Sequence, residues 1–176
     1  ISGEYSRIGL GNYKDLFGDK DFTKALRNTS IYVVFVVPCS IALSLLIAVL
    51  LNSNIKFRGL FQTIFFLPYV TSVIAIGLVW SWIFNSNYGL LNYVLSWFGI
   101  AKVQWLNKPK YALPSLIIFS VWKSMAFDIL IFLAGLQSIS PAIYESCQID
   151  GASSWETFWK ITFPMISPMI LVNGVY

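Results

Sequence analysis

The chain has 176 residues, of which 57% are hydrophobic and only 11% charged, with a formal net charge of +4 and no histidine. Soluble domains carry about 25% charged residues, so this composition excludes an ordinary soluble domain. The missing histidine removes His-based acid–base catalysis and most zinc or haem sites, and +4 is too small a charge to argue for nucleic acid. The charges are also segregated: none lies between Arg27 and Lys56, nor between Arg58 and Lys102. About 20 apolar residues cross the hydrocarbon core as a helix, whereas a closed barrel would show alternating ~10-residue strands. The expected class is all-α, a polytopic transmembrane helical bundle.

In chain order, residues 1–27 read as a polar, turn-rich segment on one side of the membrane, with Asp21 placed to cap a helix from about Phe22. The first span is expected over 29–51, kinked by Pro38, and closed by Asn52, Ser53 and Asn54 before the basic turn of Lys56 and Arg58. The second span is expected over 60–84, with Pro68 near its first third. Trp80, Trp82 and Phe84 gather at its far end as in an aromatic belt. Residues 85–110 form a loop in which 90–98 is apolar but too short to cross; it is expected to lie at the membrane surface, with Trp97 and Trp105 at the boundary. The third span is expected over 111–136, a polar segment over 137–163, and the start of a fourth span over 164–176. At ~1.5 Å per residue that last run covers ~18 Å of a ~30 Å core, so the chain is expected to be a fragment of a longer protein. Cys39 and Cys147 fall in an apolar run and in the polar segment, so both are expected as free thiols.

The polar segment carries the most specific pattern. Ser140 is a candidate N-cap with Pro141 at the first helical position. The helix should run to Asp150, where Gly151 supplies a left-handed residue that stops it. Ser153-x-x-Glu156 is a capping box for a second helix, expected to end at Pro164. A helix–Gly–helix elbow transmits displacement, and Glu145 can offer a charge-assisted contact to a soluble partner.

From Glu145 to Pro164 this segment, with Gly151 six residues after the glutamate and Ile161-Thr-Phe-Pro164 at its end, resembles the EAA loop of ABC importer permeases. It departs from the usual pattern at Ser146 and Cys147, where Ala-Ala is common, and at Phe163, where Leu is common. Further stretches look like the sugar-type branch, the MalF/UgpA-like, binding-protein-dependent transport inner membrane components: Ile149-Asp-Gly-Ala-Ser153, Leu133-Ala-Gly-Leu-Gln137, Phe65-Phe-Leu-Pro-Tyr69 and Gly11-Asn-Tyr-Lys-Asp-Leu-Phe17. The resemblance implies a type I importer permease fold in a bacterial cytoplasmic (inner) membrane. It implies that Glu145, Ser146, Cys147, Asp150, Gly151 and Ala152 meet an ATPase in the cytoplasm. It further implies a second homologous permease subunit, two nucleotide-binding ATPase subunits and an extracytoplasmic solute-binding protein as partners. This chain would bind no cofactor of its own, ATP and magnesium being held by the ATPase; it has no GxxxxGK[ST] phosphate loop.

Two charges lie inside the third span. A charge at the centre of a membrane helix costs at least ~2.5–3.5 kcal/mol on insertion scales, and Lys123 is too deep to snorkel. Lys123 and Asp128 are ~140° apart around the helix and do not pair well, so each needs a partner on another helix or a wet cavity. Ser124, Phe127 and Asp128 are candidates to face a translocation path; alternatively, Lys123 and Asp128 pin neighbouring helices. The resemblance implies that this helix lines the sugar path, with Lys123, Ser124 and Phe127 as its wall. Tyr69, Ser72 and Val73, which share one face of a continuous second span, would form the opposite wall. Aromatic rings suit the apolar face of a sugar, and hydroxyls its OH groups.

Arg7, Lys14, Lys20, Lys24, Arg27, Lys102, Lys108 and Lys110 lie on one side, and Lys56, Arg58 and Lys160 on the other, beside the elbow. The positive-inside rule would put the elbow outside; the need to meet a cytoplasmic ATPase puts it inside. The function expected is that of a permease subunit importing a sugar or oligosaccharide, coupling ATPase motion to alternating access and catalysing no bond chemistry. Its rivals are an ion-coupled secondary transporter using Asp128, a membrane-embedded enzyme, for which no catalytic constellation is present, and a scaffold. The branch points to a neutral sugar, while Lys123 leaves room for an anionic one.

Overall fold

The computed structural model describes residues 11–53 and 55–175. Residues 1–10, with Arg7, lie outside the described residues, as do Asn54 and Tyr176. The regular elements of the described residues are all helical: α1 (Gly11–Gly18), α2 (Lys20–Asn52), α3 (Arg58–Val70), α4 (Val73–Ile83), α5 (Leu90–Trp97), α6 (Pro109–Ser138), α7 (Pro141–Ile149), α8 (Ser154–Thr157), a π-turn (Phe158–Thr162) and α9 (Phe163–Val175). Among the described residues, three runs are long and apolar enough to cross a membrane, Lys20–Asn52, Pro109–Ser138 and Ser154–Val175, and α3 with α4 would make a fourth if the bent pair is one span.

The stretch expected as a turn-rich surface segment contains α1. The long helix then starts earlier than Asp21, because Asp19 is the cap: its carboxylate accepts the Asp21 N–H at 2.8 Å. Asp21 sits in the first turn, where a negative charge suits the helix dipole. At 33 residues α2 is ~50 Å long and runs through Pro38 without a break. Ser53 ends it, donating both its N–H and its hydroxyl to the Leu50 carbonyl.

The second span is not one helix. α3 and α4 meet at a bend of 102°, at Thr71 and Ser72 rather than at Pro68. Thr71 donates its N–H (3.2 Å) and its hydroxyl (2.7 Å) to the Leu67 carbonyl. Thr71 and Ser72 then turn extended, with ψ of 144° and 128°. Pro68 has already removed one ladder hydrogen bond, and hydroxyl side chains that bond backbone compete with helix continuation.

α2 and α6 form the central pair. A stripe at four-residue spacing on α2, Val36, Ser40, Ser44 and Ala48, is buried, and small residues there let two membrane helices approach closely. The apolar core joins Leu45, Ala48 and Leu51 of α2, Ile129, Phe132, Leu133 and Leu136 of α6, Ile139, and Ile166 of α9. α9 packs closely on α6: a Cβ added at Gly135 would lie 2.9 Å from Met169 Cγ.

At the end of the bundle remote from the elbow, the expected aromatic belt is partly an internal cluster. Trp80 packs on Phe84, Phe119 and Trp122 with ring centroids 5.2–5.7 Å apart, and Phe84 is buried against Trp105. Trp82 and Trp97 alone of the expected belt residues point outward, each at least half exposed. The loop between α4 and α6 is tied by Asn92, which donates to the Ser86 and Val103 carbonyls and accepts from Val103 N–H and Trp105 Nε1. A buried amide satisfied on both sides fixes its loop rigidly; the apolar run around Asn92 gave no sign of this role.

Candidate functional site

The elbow lies at the end of the bundle where α2 and α6 finish. Pro141 starts α7 and Ser140 occupies the cap position, although it is the Ser140 carbonyl that accepts, from Ile143 N–H, and its side chain makes no capping bond. The helix closes on Asp150. Gly151 adopts φ +74°, and the N–H groups of Asp150, Gly151 and Ala152 donate to the carbonyls of Ser146, Gln148 and Cys147. The left-handed residue costs glycine nothing and satisfies carbonyls that the helix end leaves open. Ser153 and Glu156 then form the full capping box: Glu156 N–H donates to the Ser153 hydroxyl at 3.3 Å, and Ser153 N–H donates to the Glu156 carboxylate at 3.1 Å. Lys160 pairs with the same carboxylate at 3.1 Å on the surface, where solvent screening leaves such a pair little weight.

Pro164 does not end the second helix. The turn before it widens to a π-turn, with Phe163 N–H bonding the Phe158 carbonyl. α8, the π-turn and α9 therefore run as one 22-residue helix. A π-bulge absorbs the carbonyl that a proline cannot serve, and Pro164 falls in the first turn beyond it. One arm of the elbow is thus continuous with a membrane-length helix.

The other arm is latched to it. Tyr144 OH lies 3.3 Å from the hydroxyl of the buried Thr162, and Ile143, Tyr144 and Phe158 pack on the core. Of the residues expected to meet an ATPase, Glu145, Ser146, Asp150 and Gly151 are exposed, and Cys147 and Ala152 half-buried. Cys147, Asp150, Gly151 and Ala152 share one cleft of about 380 Å³ with Glu156 and Lys160. Ile149, at the tip, is 86% exposed. Nothing in the local pattern singled out Ile149 or Tyr144, because both look like ordinary helix-face hydrophobics.

The residues expected along a solute path separate into two groups. Tyr69 stacks on Phe127 (5.4 Å) and Phe66 on Tyr69 (5.5 Å). Lys123, one turn before Phe127, is half-buried, as is Ser124. Tyr69, Ser72 and Val73 do not share a helix face, since the break falls between them: Tyr69 lies in the last turn of α3, Ser72 is one of the two extended residues and Val73 starts α4. All three are exposed in this chain. Asp128 is 3% exposed and turns toward α2, where the Ser40 hydroxyl sits between the Val37 carbonyl (3.1 Å) and the Asp128 side chain. The structure therefore groups Asp128 with the α2–α6 seam, apart from the Tyr69–Phe127 stack.

The break itself is informative. Because Tyr69 stacks on Phe127, Thr71 and Ser72 are level with the middle third of α6. Non-helical backbone at membrane depth is tolerated only inside protein or beside water, and broken helices recur where transporters bind their solutes. On the inner side of the bend, Leu67, Pro68, Ala75, Trp80, Trp122 and Ala126 help to line an apolar cavity of about 540 Å³.

A bundle of membrane-length helices with a stiff elbow at one end and a broken helix in the middle has the build of a membrane transport component. Residues 40–176 match the family described as "Binding-protein-dependent transport system inner membrane component", and the chain belongs to that family. It is 36% identical, over 97% of its own length and 54% of the relative's, to the arabinooligosaccharides transport system permease protein AraP of Halalkalibacterium halodurans. It is 35% identical to the trehalose/maltose transport system permease protein MalF of Thermococcus litoralis, over 94% of the chain and 56% of the relative. Among solved structures, a chain of the bacterial alginate ABC transporter, in complex with an alginate pentasaccharide-bound periplasmic protein, superposes with a TM-score of 0.85. That chain is 32% identical, and the match covers 96% of this chain and 60% of the other. The chain spans somewhat more than half the length of the curated relatives it matches.

Proposed function

We propose that the chain is the membrane-spanning part of a permease subunit in an ATP-driven, binding-protein-dependent importer of sugars or oligosaccharides in a bacterial cytoplasmic membrane. The observation that carries this reading is the elbow: a capped, latched turn whose second arm continues without interruption into a membrane-length helix. Such a part converts a push on α7 into motion of α9 and, through Gly135 and Met169, of α6. Relatives named for arabinooligosaccharide and for trehalose/maltose transport support the sugar class.

In this reading the elbow faces the cytoplasm and seats on one of two nucleotide-binding ATPase subunits. Glu145, Ser146, Cys147, Asp150, Gly151 and Ala152 form the seat, and Ile149 is an added anchor. A second homologous permease subunit covers the open sides of α3, α4 and α6, lipid surrounds the rest, and a solute-binding protein delivers from the opposite face. ATP and magnesium stay on the ATPase. Closure of the ATPases moves the elbow, and the helix break at Thr71 and Ser72 gives the bundle a place to flex between inward- and outward-facing states. Tyr69 and Phe127 are the aromatic side chains beside a sugar, with Ser72, Ser124 and Lys123 as polar contacts and Val73 as apolar wall. Asp128 holds the α2–α6 seam beside the path.

The test is reconstitution of the complete permease pair with its ATPase and solute-binding protein in liposomes. ATP-dependent sugar uptake is expected; uptake that ignores ATP and follows an ion gradient would sink the reading.

A further inference from the structure

We infer that Asn173 of α9 and Ser44 of α2 form a switching hydrogen bond, open in the conformation of this structure and closed in another state of the ATPase cycle; this rests on the importer reading above. Ser44 is fully buried and Asn173 is 7% exposed. Among the described residues, the Ser44 hydroxyl and both polar atoms of the Asn173 amide have no hydrogen-bond partner. The chain itself encloses these three atoms. Water, lipid and a second subunit therefore do not reach them in this conformation.

Both side chains enter one junction. On α2, Ser40 faces Asp128 of α6, and Ile41 faces α9, where a Cβ added at Gly174 would lie 3.9 Å from Ile41 Cδ1. Ser44 points between those two directions, ~40° from Ser40 and ~60° from Ile41 at ~100° per residue. On α9, Met169 faces Gly135 of α6, and Gly174 faces α2. Asn173 lies on the arc between them, ~40° from Met169. The two groups converge on the groove shared by α2, α6 and α9.

Their heights differ by about half a turn. α2 runs toward the elbow and α9 away from it. With Gly174 beside Ile41, Asn173 is level with Ala42, two residues short of Ser44, or ~3 Å along the axis. A slide of α9 toward the elbow by that distance brings the amide level with the hydroxyl. Such a step lies between the ~1–2 Å helix shifts and the ~5.4 Å one-turn ratchets known at packed interfaces.

A buried polar group without a partner raises the free energy of the conformation that buries it. Serine and asparagine side chains also link helices across membrane interiors. A fixed structural bond would already be closed here. Two open groups half a turn apart instead favour movement along the one coordinate that pairs them. α9 is also the helix that continues the elbow, so a displacement applied at α7 and α8 acts on that coordinate directly.

The test uses the complete transporter with its ATPase and solute-binding protein in liposomes. Cys39 and Cys147 are replaced by serine, and Ser44→Cys and Asn173→Cys are introduced together. Oxidation with copper phenanthroline, nucleotide-free and with the ATPase trapped by ADP and vanadate, should form the disulfide readily in one state and slowly in the other. Separately, Ser44→Ala and Asn173→Leu should each shift the ATP concentration that half-saturates transport by ~3–20-fold, the span of interhelical hydrogen bonds in membranes. The shift should disfavour the state in which the cysteine pair closes, and the double variant should go no further than the larger single one. Equal disulfide formation in both states, or none in either, overturns the inference, as does a double variant that sums the two single shifts. Loss of assembly in Asn173→Leu also overturns it, because Asn173 would then be a fixed structural contact. Sugar uptake by the unsubstituted transporter that ignores ATP is the separate failure of the importer reading.

Discussion

Gly151 is where the lever account is most exposed to a single substitution. Its φ of +74° lies in the left-handed region, where a residue with a Cβ costs about 1–2 kcal/mol. A Cβ built there would meet no atom within 4 Å, so within the chain the whole penalty is conformational. Gly151→Ala should therefore shift the elbow toward open forms by ~5–30-fold, from 1.4 kcal/mol per tenfold. Gly151→Val, being β-branched, should cost more, and Gly151→Asn less, because asparagine tolerates this region. Hydrogen exchange reads the effect directly: the amides of Asp150, Gly151 and Ala152, bonded to Ser146, Gln148 and Cys147, should exchange ~5–30-fold faster in the alanine variant. Sugar uptake per ATP hydrolysed should fall in the order glycine, asparagine, alanine, valine. Unchanged exchange in the alanine variant would refute the conformational reasoning. An asparagine variant as impaired as valine would mean instead that a partner surface excludes any side chain there.

Three other predictions concern packing and the seam. Gly135→Leu should lower the melting temperature of the solubilised complex through an overpacking cost of about 1–3 kcal/mol, and Met169→Ala should recover much of it; lack of recovery would place the strain elsewhere. Tyr144→Phe keeps the ring but removes the 3.3 Å hydroxyl contact with Thr162, about 0.5–1.5 kcal/mol, so uptake per ATP should drop in transport assays while membrane yield holds. Asp128→Asn should retain ATP-driven uptake, because an amide can still bond Ser40. Asp128→Lys should abolish accumulation in the membrane, measured by immunoblot, since it buries a cation in the α2–α6 seam.

The elbow was legible because its determinants are local. Gly151 after a helix and Ser153-x-x-Glu156 before one act through bonds to residues three to five positions away, and they do so here whatever packs around them. The long apolar runs likewise announced α2 and α6 by length alone. What escaped reading depends on competition between neighbouring signals. Pro38 and Pro68 look alike in sequence, yet α2 runs through the first and α3 ends two residues beyond the second, where the Thr71 hydroxyl supplies a bond to the Leu67 carbonyl that a helix interior does not need. Pro164 resembles a stop, but the π-turn ahead of it lets the helix run on. Asp19 and Asp21 both suit a cap, and the first takes it. Which way Asp128 faces could not be decided from α6 alone, because it depends on the serine stripe that α2 brings opposite. The Tyr144–Thr162 latch joins residues 18 apart across a turn and has no local signature.

The central claim is that the elbow is seated on, and moved by, a separate ATPase. Cysteine crosslinking from Cys147, half-buried beside the exposed elbow tip, tests it most directly once Cys39 is replaced by serine. A crosslink to a nucleotide-binding subunit in the intact complex, with a yield that changes between ATP-bound and nucleotide-free states, is the predicted result. Labelling of Cys147 only from the extracytoplasmic side, with no product joining it to such a subunit, would contradict the account.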